Sequence, residues 1–133
     1  MGPGIKLWFM KQIFLLGLGG FAGTTLRYGV QYVFNKYLQI IFPLGTFIVN
    51  ITGCFVIGLL YGIASKYSWI TPEWRLFLIT GLCGGYTTFS TFAYENMVML
   101  QQGNYTGFAA YSISSFVLCL LVVFAGLSVI KII

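Results

Sequence analysis

Uncharged apolar runs, separated by short charged or polar breaks, occupy almost the whole chain. Gln12–Leu26 lies between Lys11 and Arg27, and its apolar character continues to Phe34. Tyr37–Ser65 lies between Lys36 and Lys66, Leu76–Tyr94 between Arg75 and Glu95, and Asn96–Ile130 between Glu95 and Lys131. A helix needs ~20 residues at ~1.5 Å rise each to cross the hydrocarbon core of a bilayer. The pattern therefore predicts an all-α membrane protein with four transmembrane helices, near residues 8–35, 43–66, 72–101 and 105–131. Together they form one four-helix domain, residues 1–133, with no long linker or low-complexity stretch left over.

The predicted boundaries carry their own chemistry. Pro43 suits the first turn of the second helix. Thr71-Pro72-Glu73 supplies an N-cap, a proline at the first helical position and an acid in the first turn of the third. Gln101-Gln102-Gly103-Asn104 reads as a polar turn. Trp8, Trp69 and Trp74 fall near predicted interfaces, where an aromatic belt belongs. Lys6 and Lys11 resemble the start of a signal peptide. The following apolar run is too long for one, and no small-residue cleavage site follows, so it is read as a retained helix. Lys6, Lys11, Lys66, Arg75 and Lys131 fall on one side and Lys36 on the other, with Arg27 just inside the first helix. The excess of positive charge places both termini in the cytoplasm.

Composition agrees. Of 133 residues, 59% are hydrophobic and 7% charged, against roughly 25% charged in a soluble domain. The sequence predicts a multi-pass protein of the cell membrane (plasma or inner), with the lipid bilayer as a partner. There is no histidine, and Glu73 and Glu95 are the only acids. That removes a histidine general base, a carboxylate pair and a His/Cys zinc set, so an enzyme is not expected. The net charge of +5 is thinly spread, without the basic cluster that marks nucleic-acid binding. Cys54, Cys83 and Cys119 sit far apart inside apolar runs and read as buried small hydrophobes.

Four polar residues fall at a similar predicted depth, one per helix: Arg27, Asn50, Glu95 and Tyr111. Each has a plain explanation. Arg27 can snorkel, Glu95 can pair with Arg27, and Asn50 can join two helices by a hydrogen bond. Their shared depth points instead to a hydrated vestibule, because polar groups at membrane depth usually face a partner or a water-filled cavity. The run Thr80–Phe92 lies in the middle of a predicted span. Gly84-Gly85 weakens a helix there, and the following threonines favour other conformations. A break would free backbone carbonyls, which suit a hard monovalent cation such as sodium. The alternative is close helix packing, since Gly19-xxx-Gly23, Gly58-xxx-Gly62 and Gly81-xxx-Gly85 all have small residues at that spacing. Phe89 and Phe92, and likewise Thr88 and Thr91, are three apart and share helix faces, with Ser90 nearby. Tyr111, Ser115 and Cys119 form a stripe on the fourth helix, and Thr46 precedes Asn50 by one turn.

These residues resemble a known family. Gly84-Gly85-Tyr86-Thr87-Thr88-Phe89-Ser90-Thr91-Phe92 looks like the signature of the small fluoride channels (Fluc, or CrcB-type). Gly45-Thr46-Phe47-Ile48-Val49-Asn50 resembles that family's second-helix segment, and Gly23-Thr24-Thr25-Leu26-Arg27-Tyr28 its first-helix motif. The resemblance covers essentially the whole chain. It implies an antiparallel, dual-topology homodimer with the third helix broken at mid-membrane, two fluoride pores and a structural sodium ion on the two-fold axis. Phe89 and Phe92 would turn their ring edges to fluoride, and Asn50 would be the pore asparagine. Tyr111, Ser115 and Thr46 would form a hydroxyl track, with Thr88, Thr91 and Ser90 as further pore candidates. Arg27 would line the vestibule. Gly84 and Thr87 would offer backbone carbonyls to sodium; no organic cofactor is implied.

Two departures stand out. Cys119 occupies a place where the track would continue with a serine, and a thiol is a weaker donor. The charge bias is larger than a freely dual-topology chain should carry, so an oppositely oriented homologue ranks as a second choice of partner, below another copy of the chain. The expected function is passive, fluoride-selective export. The runner-up is a dual-topology small-solute or multidrug exporter, which would need a proton-carrying carboxylate deep in a span; Glu95 lies off-centre. A non-conducting membrane assembly subunit is the third reading.

Overall fold

The computed structural model describes residues 3–38 and 42–132. Among the described residues four helices are long and apolar enough to cross a membrane: Gly4–Tyr37, Leu44–Lys66, Pro72–Gln101 and Tyr105–Ile132. The chain is an all-helical, four-span membrane protein. The first, second and fourth spans are α1 (Pro3–Tyr37), α2 (Leu44–Lys66) and α6 (Tyr105–Ile132). The third is composite: α3 (Pro72–Arg75), a π-helical stretch Leu76–Cys83, α4 (Gly84–Tyr86) and α5 (Phe89–Gln101).

The boundaries form as their chemistry dictates. The Thr71 hydroxyl accepts from the Trp74 N–H ahead of Pro72. Arg75 Nη2 donates to the Ala64 carbonyl at 2.6 Å, so a cation satisfies one of the orphan carbonyls ending α2. Gly103 turns the chain between α5 and α6 at φ 72°, a conformation that favours glycine. Asn104 Oδ1 then caps α6 by accepting from the Gly107 N–H at 2.9 Å.

Several polar and small residues are turned inward, and many large apolar ones outward. Thr46, Thr88, Asn96 and Ser115 are buried, whereas Phe21, Phe116 and Phe124 are exposed. Lipid tails solvate the outward face, so helices associate through close packing and hydrogen bonds instead of hydrophobic burial. Glycines set the close approaches. α1 packs on the π-helical stretch and α4, while α2 lies along α6. A Cβ on Gly85 would lie 2.6 Å from the Gly20 carbonyl oxygen and 3.0 Å from the Gly20 Cα. One on Gly126 would lie 2.6 Å from the Phe55 carbonyl oxygen.

Of the break expected over Gly84–Thr87, the glycines form no part: Gly84 and Gly85 are helical. The extended residues are Thr87 (φ −78°, ψ 158°) and Thr88 (φ −150°, ψ 117°). At Gly85 the missing side chain serves the contact with α1. The departure from helix comes where β-branched threonines, poor helix formers, find other hydrogen-bond partners.

Gly85→Ala should lower unfolding stability in detergent by ~1–3 kcal/mol, the usual cost of forcing atoms into a packed contact. Gly17→Ala, with nothing within 4 Å of the added Cβ, should be neutral or slightly stabilising. Thermal denaturation of the two variants side by side checks this; equal midpoints would remove the packing role of Gly85.

Candidate functional site

The site is built around Asn50. Its side-chain Oδ1 accepts from the Thr88 N–H at 2.8 Å, and its Nδ2 donates to the Thr88 carbonyl at 3.1 Å. One amide thus replaces both backbone partners of an extended residue at membrane depth, where lipid offers none. Thr88 in turn begins α5: its hydroxyl accepts from the Thr91 N–H at 3.3 Å and lies 3.0 Å from Thr91 Oγ1 and 3.3 Å from Ser90 Oγ. Thr87 closes α4 through its N–H and its hydroxyl, both donating to the Cys83 carbonyl at 2.9 Å. The Thr87 carbonyl accepts from Arg27 Nη1 at 3.1 Å.

Beside this clamp is a cavity of about 330 Å³. Asn50, Cys54, Thr87, Thr88, Phe89, Phe92, Ser115 and Cys119 are among its lining residues. None of these carries a formal charge as an unionised side chain. The Ser115 hydroxyl is buried and has no hydrogen-bond partner among the described residues. An unpartnered buried hydroxyl is costly unless something else completes it. The Phe89 and Phe92 ring centroids are 5.7 Å apart at 40°, and Phe92 continues to Tyr111 at 5.0 Å and 53°. The three rings form a row leading from the cavity into the bundle.

At the end of that row is a hydrogen-bonded chain. Gln31 Nε2 donates to Thr46 Oγ1 at 3.1 Å, and Thr46 donates to Glu95 Oε1 at 2.7 Å. Tyr111 donates its hydroxyl to Glu95 Oε2 at 2.7 Å. The carboxylate therefore gathers hydroxyls from α2 and α6. The two helices keep one register along their contact. Thr46 shares Glu95 with Tyr111. Asn50 and Ser115 line the same cavity, as do Cys54 and Cys119, and Gly58 meets the Val123 backbone. Each pair is separated by the same 65 positions.

Residues 14–127 match the family described as CrcB-like protein, Camphor Resistance (CrcB). The chain is 46% identical over 122 residues to the fluoride-specific ion channel FluC of Flavobacterium psychrophilum, covering 92% of this chain and 98% of that protein. The protein of the same name from Methylobacillus flagellatus is 45% identical over 123 residues, covering 92% and 96%. That of Leptospira interrogans is 41% identical over 123 residues, covering 92% and 97%. The chain belongs to the CrcB family.

Within this family member, the expected site residues divide into three groups. Phe89, Phe92, Asn50, Ser115 and Thr88 line the cavity, together with Thr87. Thr46 and Tyr111 lie in the adjoining carboxylate chain. Ser90 and Thr91 belong to the hydroxyl group capping α5. Arg27 does not pair with Glu95: the guanidinium goes to the Thr87 carbonyl, and the carboxylate goes to two hydroxyls. A similar depth on two helices is not enough for contact when their side chains turn toward different neighbours. Asn50 does join two helices by hydrogen bonds, as its plain explanation held, with Thr88 as the partner 38 positions away; Gln31 was missed, because its contact depends on a partner 15 positions away and has no local sequence signal.

Asn50→Asp should lower fluoride efflux from proteoliposomes at least ~10-fold more than Asn50→Ser, equivalent to ~1.4 kcal/mol. An ionised aspartate still accepts from the Thr88 N–H but sets its second oxygen against the Thr88 carbonyl and repels anions. Equal rates for the two variants at neutral pH would detach Asn50 from the pathway.

Proposed function

We infer that this chain is a fluoride-specific ion channel that lets fluoride leave the cytoplasm passively. Its relatives, fluoride-specific ion channels by name, support this reading. The structural observation that carries it is the unpartnered, buried Ser115 hydroxyl on a cavity wall shared with Phe89 and Phe92. Fluoride is small and strongly hydrated, so a path must replace its water with donors. Hydroxyls, an amide N–H and the positive edges of phenyl rings do so without a fixed cation that would hold the ion. Tyr111 and Thr46 extend the donor line, with their hydroxyls resting on Glu95 between ions. Thr88, Thr91 and Ser90 stand at the mouth of α5, and Arg27 lines the vestibule. A negative-inside membrane expels an anion with ~2.3 kcal/mol per 100 mV, so conduction alone removes fluoride that entered as neutral HF.

The working unit is an antiparallel pair of copies with dual topology. Phe89 supports this: its ring is 79% exposed on one chain although it lines the cavity. A second copy lying against this face would cover it. An antiparallel two-fold axis lies in the membrane plane, so only a mid-depth segment meets its own copy at the same height. The third span runs from Pro72 to Gln101, and Tyr86 lies at its midpoint.

A sodium ion on that axis would be held by the Gly84 and Thr87 carbonyls of both copies. The donor set fits. The Thr88 N–H, which a continuous helix would aim at the Gly84 carbonyl, donates to Asn50 instead. The Thr87 carbonyl uses one lone pair on Arg27 and keeps a second. Neutral carbonyls suit a hard, singly charged cation better than magnesium or calcium, which recruit carboxylates. Among the described residues no group of three or more His, Cys, Asp and Glu offers another metal site. The bound ion would supply positive charge that ties the two segments together.

Two measurements test the reading. Phe89→Ile and Phe92→Ile should each cut fluoride efflux from liposomes at least ~10-fold, because the apolar volume stays while the positive ring edge goes. Cross-linking should still report dimers. Wild-type efflux from both variants would leave the rings as packing only. Full replacement of sodium by a larger cation should abolish efflux through both pores together, and unchanged activity after prolonged sodium removal would overturn the ion's structural role.

A further inference from the structure

Cys54 and Cys119 come from different helices, yet both line the same cavity where α2 packs along α6. The helix register sets them at one level of that contact. One turn beyond, Gly58 packs on the Val123 backbone, and one turn before, Asn50 and Ser115 face the same cavity. Both thiols are partly exposed and line that cavity, whereas Cys83 is buried at 2% exposure and does not. The sequence reading of all three as inert packing therefore holds only for Cys83.

We propose that Cys54 and Cys119 form a two-thiol site for one soft, singly charged metal cation, of the class of copper(I) or silver(I), and that its occupation closes the pathway. Soft sulfur ligands select such cations. Zinc is disfavoured because its sites need four ligands or three and a water, and no third His, Cys, Asp or Glu joins the pair among the described residues. Binding forms two metal–sulfur bonds as each thiol gives up its proton to bulk water. Two thiolates and one monovalent cation leave a net single negative charge. That charge stands in the cavity that Asn50, Ser115, Phe89 and Phe92 line, where it repels an entering anion. The metal also fills part of the space. Block would thus be electrostatic as well as steric.

The closure rests on the cavity being the conducting path; the metal site itself does not, and the test separates them. The purified chain in liposomes is titrated with Ag⁺ in nitrate medium, since silver chloride is insoluble and silver fluoride is not. Fluoride efflux should stop and return on addition of a dithiol. Cys54→Ser and Cys119→Ser, each normalised to its own uninhibited efflux, should raise the half-blocking concentration roughly 10²-fold, the usual loss when one of two linked ligands is removed. In parallel, maleimide labelling followed by mass spectrometry reads site occupancy without any flux. Ag⁺ should protect Cys54 and Cys119 together at one ion per chain. Cys54→Ala and Cys119→Ala repeat both readings if a serine variant fails to assemble. Protection of one thiol without the other overturns the site. So does undiminished silver affinity in either single variant, or its loss in Cys83→Ser. Joint protection with uninterrupted efflux overturns the closure and leaves the metal site standing.

Discussion

The Asn50 amide on the Thr88 backbone is the interaction on which the rest of the site depends. At membrane depth an extended residue has two backbone groups that lipid cannot satisfy, at several kcal/mol each. Asn50 satisfies both, at 2.8 and 3.1 Å. With that clamp in place Thr88 can cap α5, and α5 can restart one residue later at Phe89. The direction of α5 then sets the Phe89 and Phe92 rings against the cavity and Glu95 against Thr46 and Tyr111. Without it, the cheapest way to satisfy residues 87 and 88 is a continuous helix, which would rotate everything downstream.

Two kinds of close approach hold this arrangement. On one side, glycines of α1 and of the third span let backbones touch, Gly20 against Gly85 among them. On the other, Gly58 and Gly126 bring α2 and α6 together. Because lipid is as apolar as leucine, burying leucine gains little here. Small residues supply dispersion contacts, and the interior is free to hold polar side chains. That is why the most buried groups include Thr46 and Tyr111 while phenylalanines cover the outside.

The placement of charge follows the same logic. The cavity wall bears no carboxylate, guanidinium or ammonium group, and two such residues near it are tied down at its edges: Arg27 on a carbonyl, Glu95 on two hydroxyls. A carboxylate holding hydroxyl donors in line is compatible with passing an anion only if the anion can outbid it for those donors. An isolated hydroxyl such as Ser115 needs no such exchange.

The sequence by itself determined the four spans, their caps and the family, because these depend on local chemistry: apolar length against bilayer thickness, Thr71 before Pro72, a glycine turn at Gly103, and one contiguous motif from Gly84 to Phe92. The cavity residues Asn50, Ser115, Phe89 and Phe92 were also legible, through motif and helical spacing. Tertiary structure decided what those residues touch. It kept Gly84 and Gly85 helical and confined the extended backbone to Thr87-Thr88, sent Arg27 and Glu95 to separate partners, and brought Cys54 and Cys119 to one cavity. Each of these turns on the rotation and register of helices far apart in the chain. A side chain's depth in the membrane can be counted along one helix; the direction it faces is fixed only when the neighbouring helix is in place.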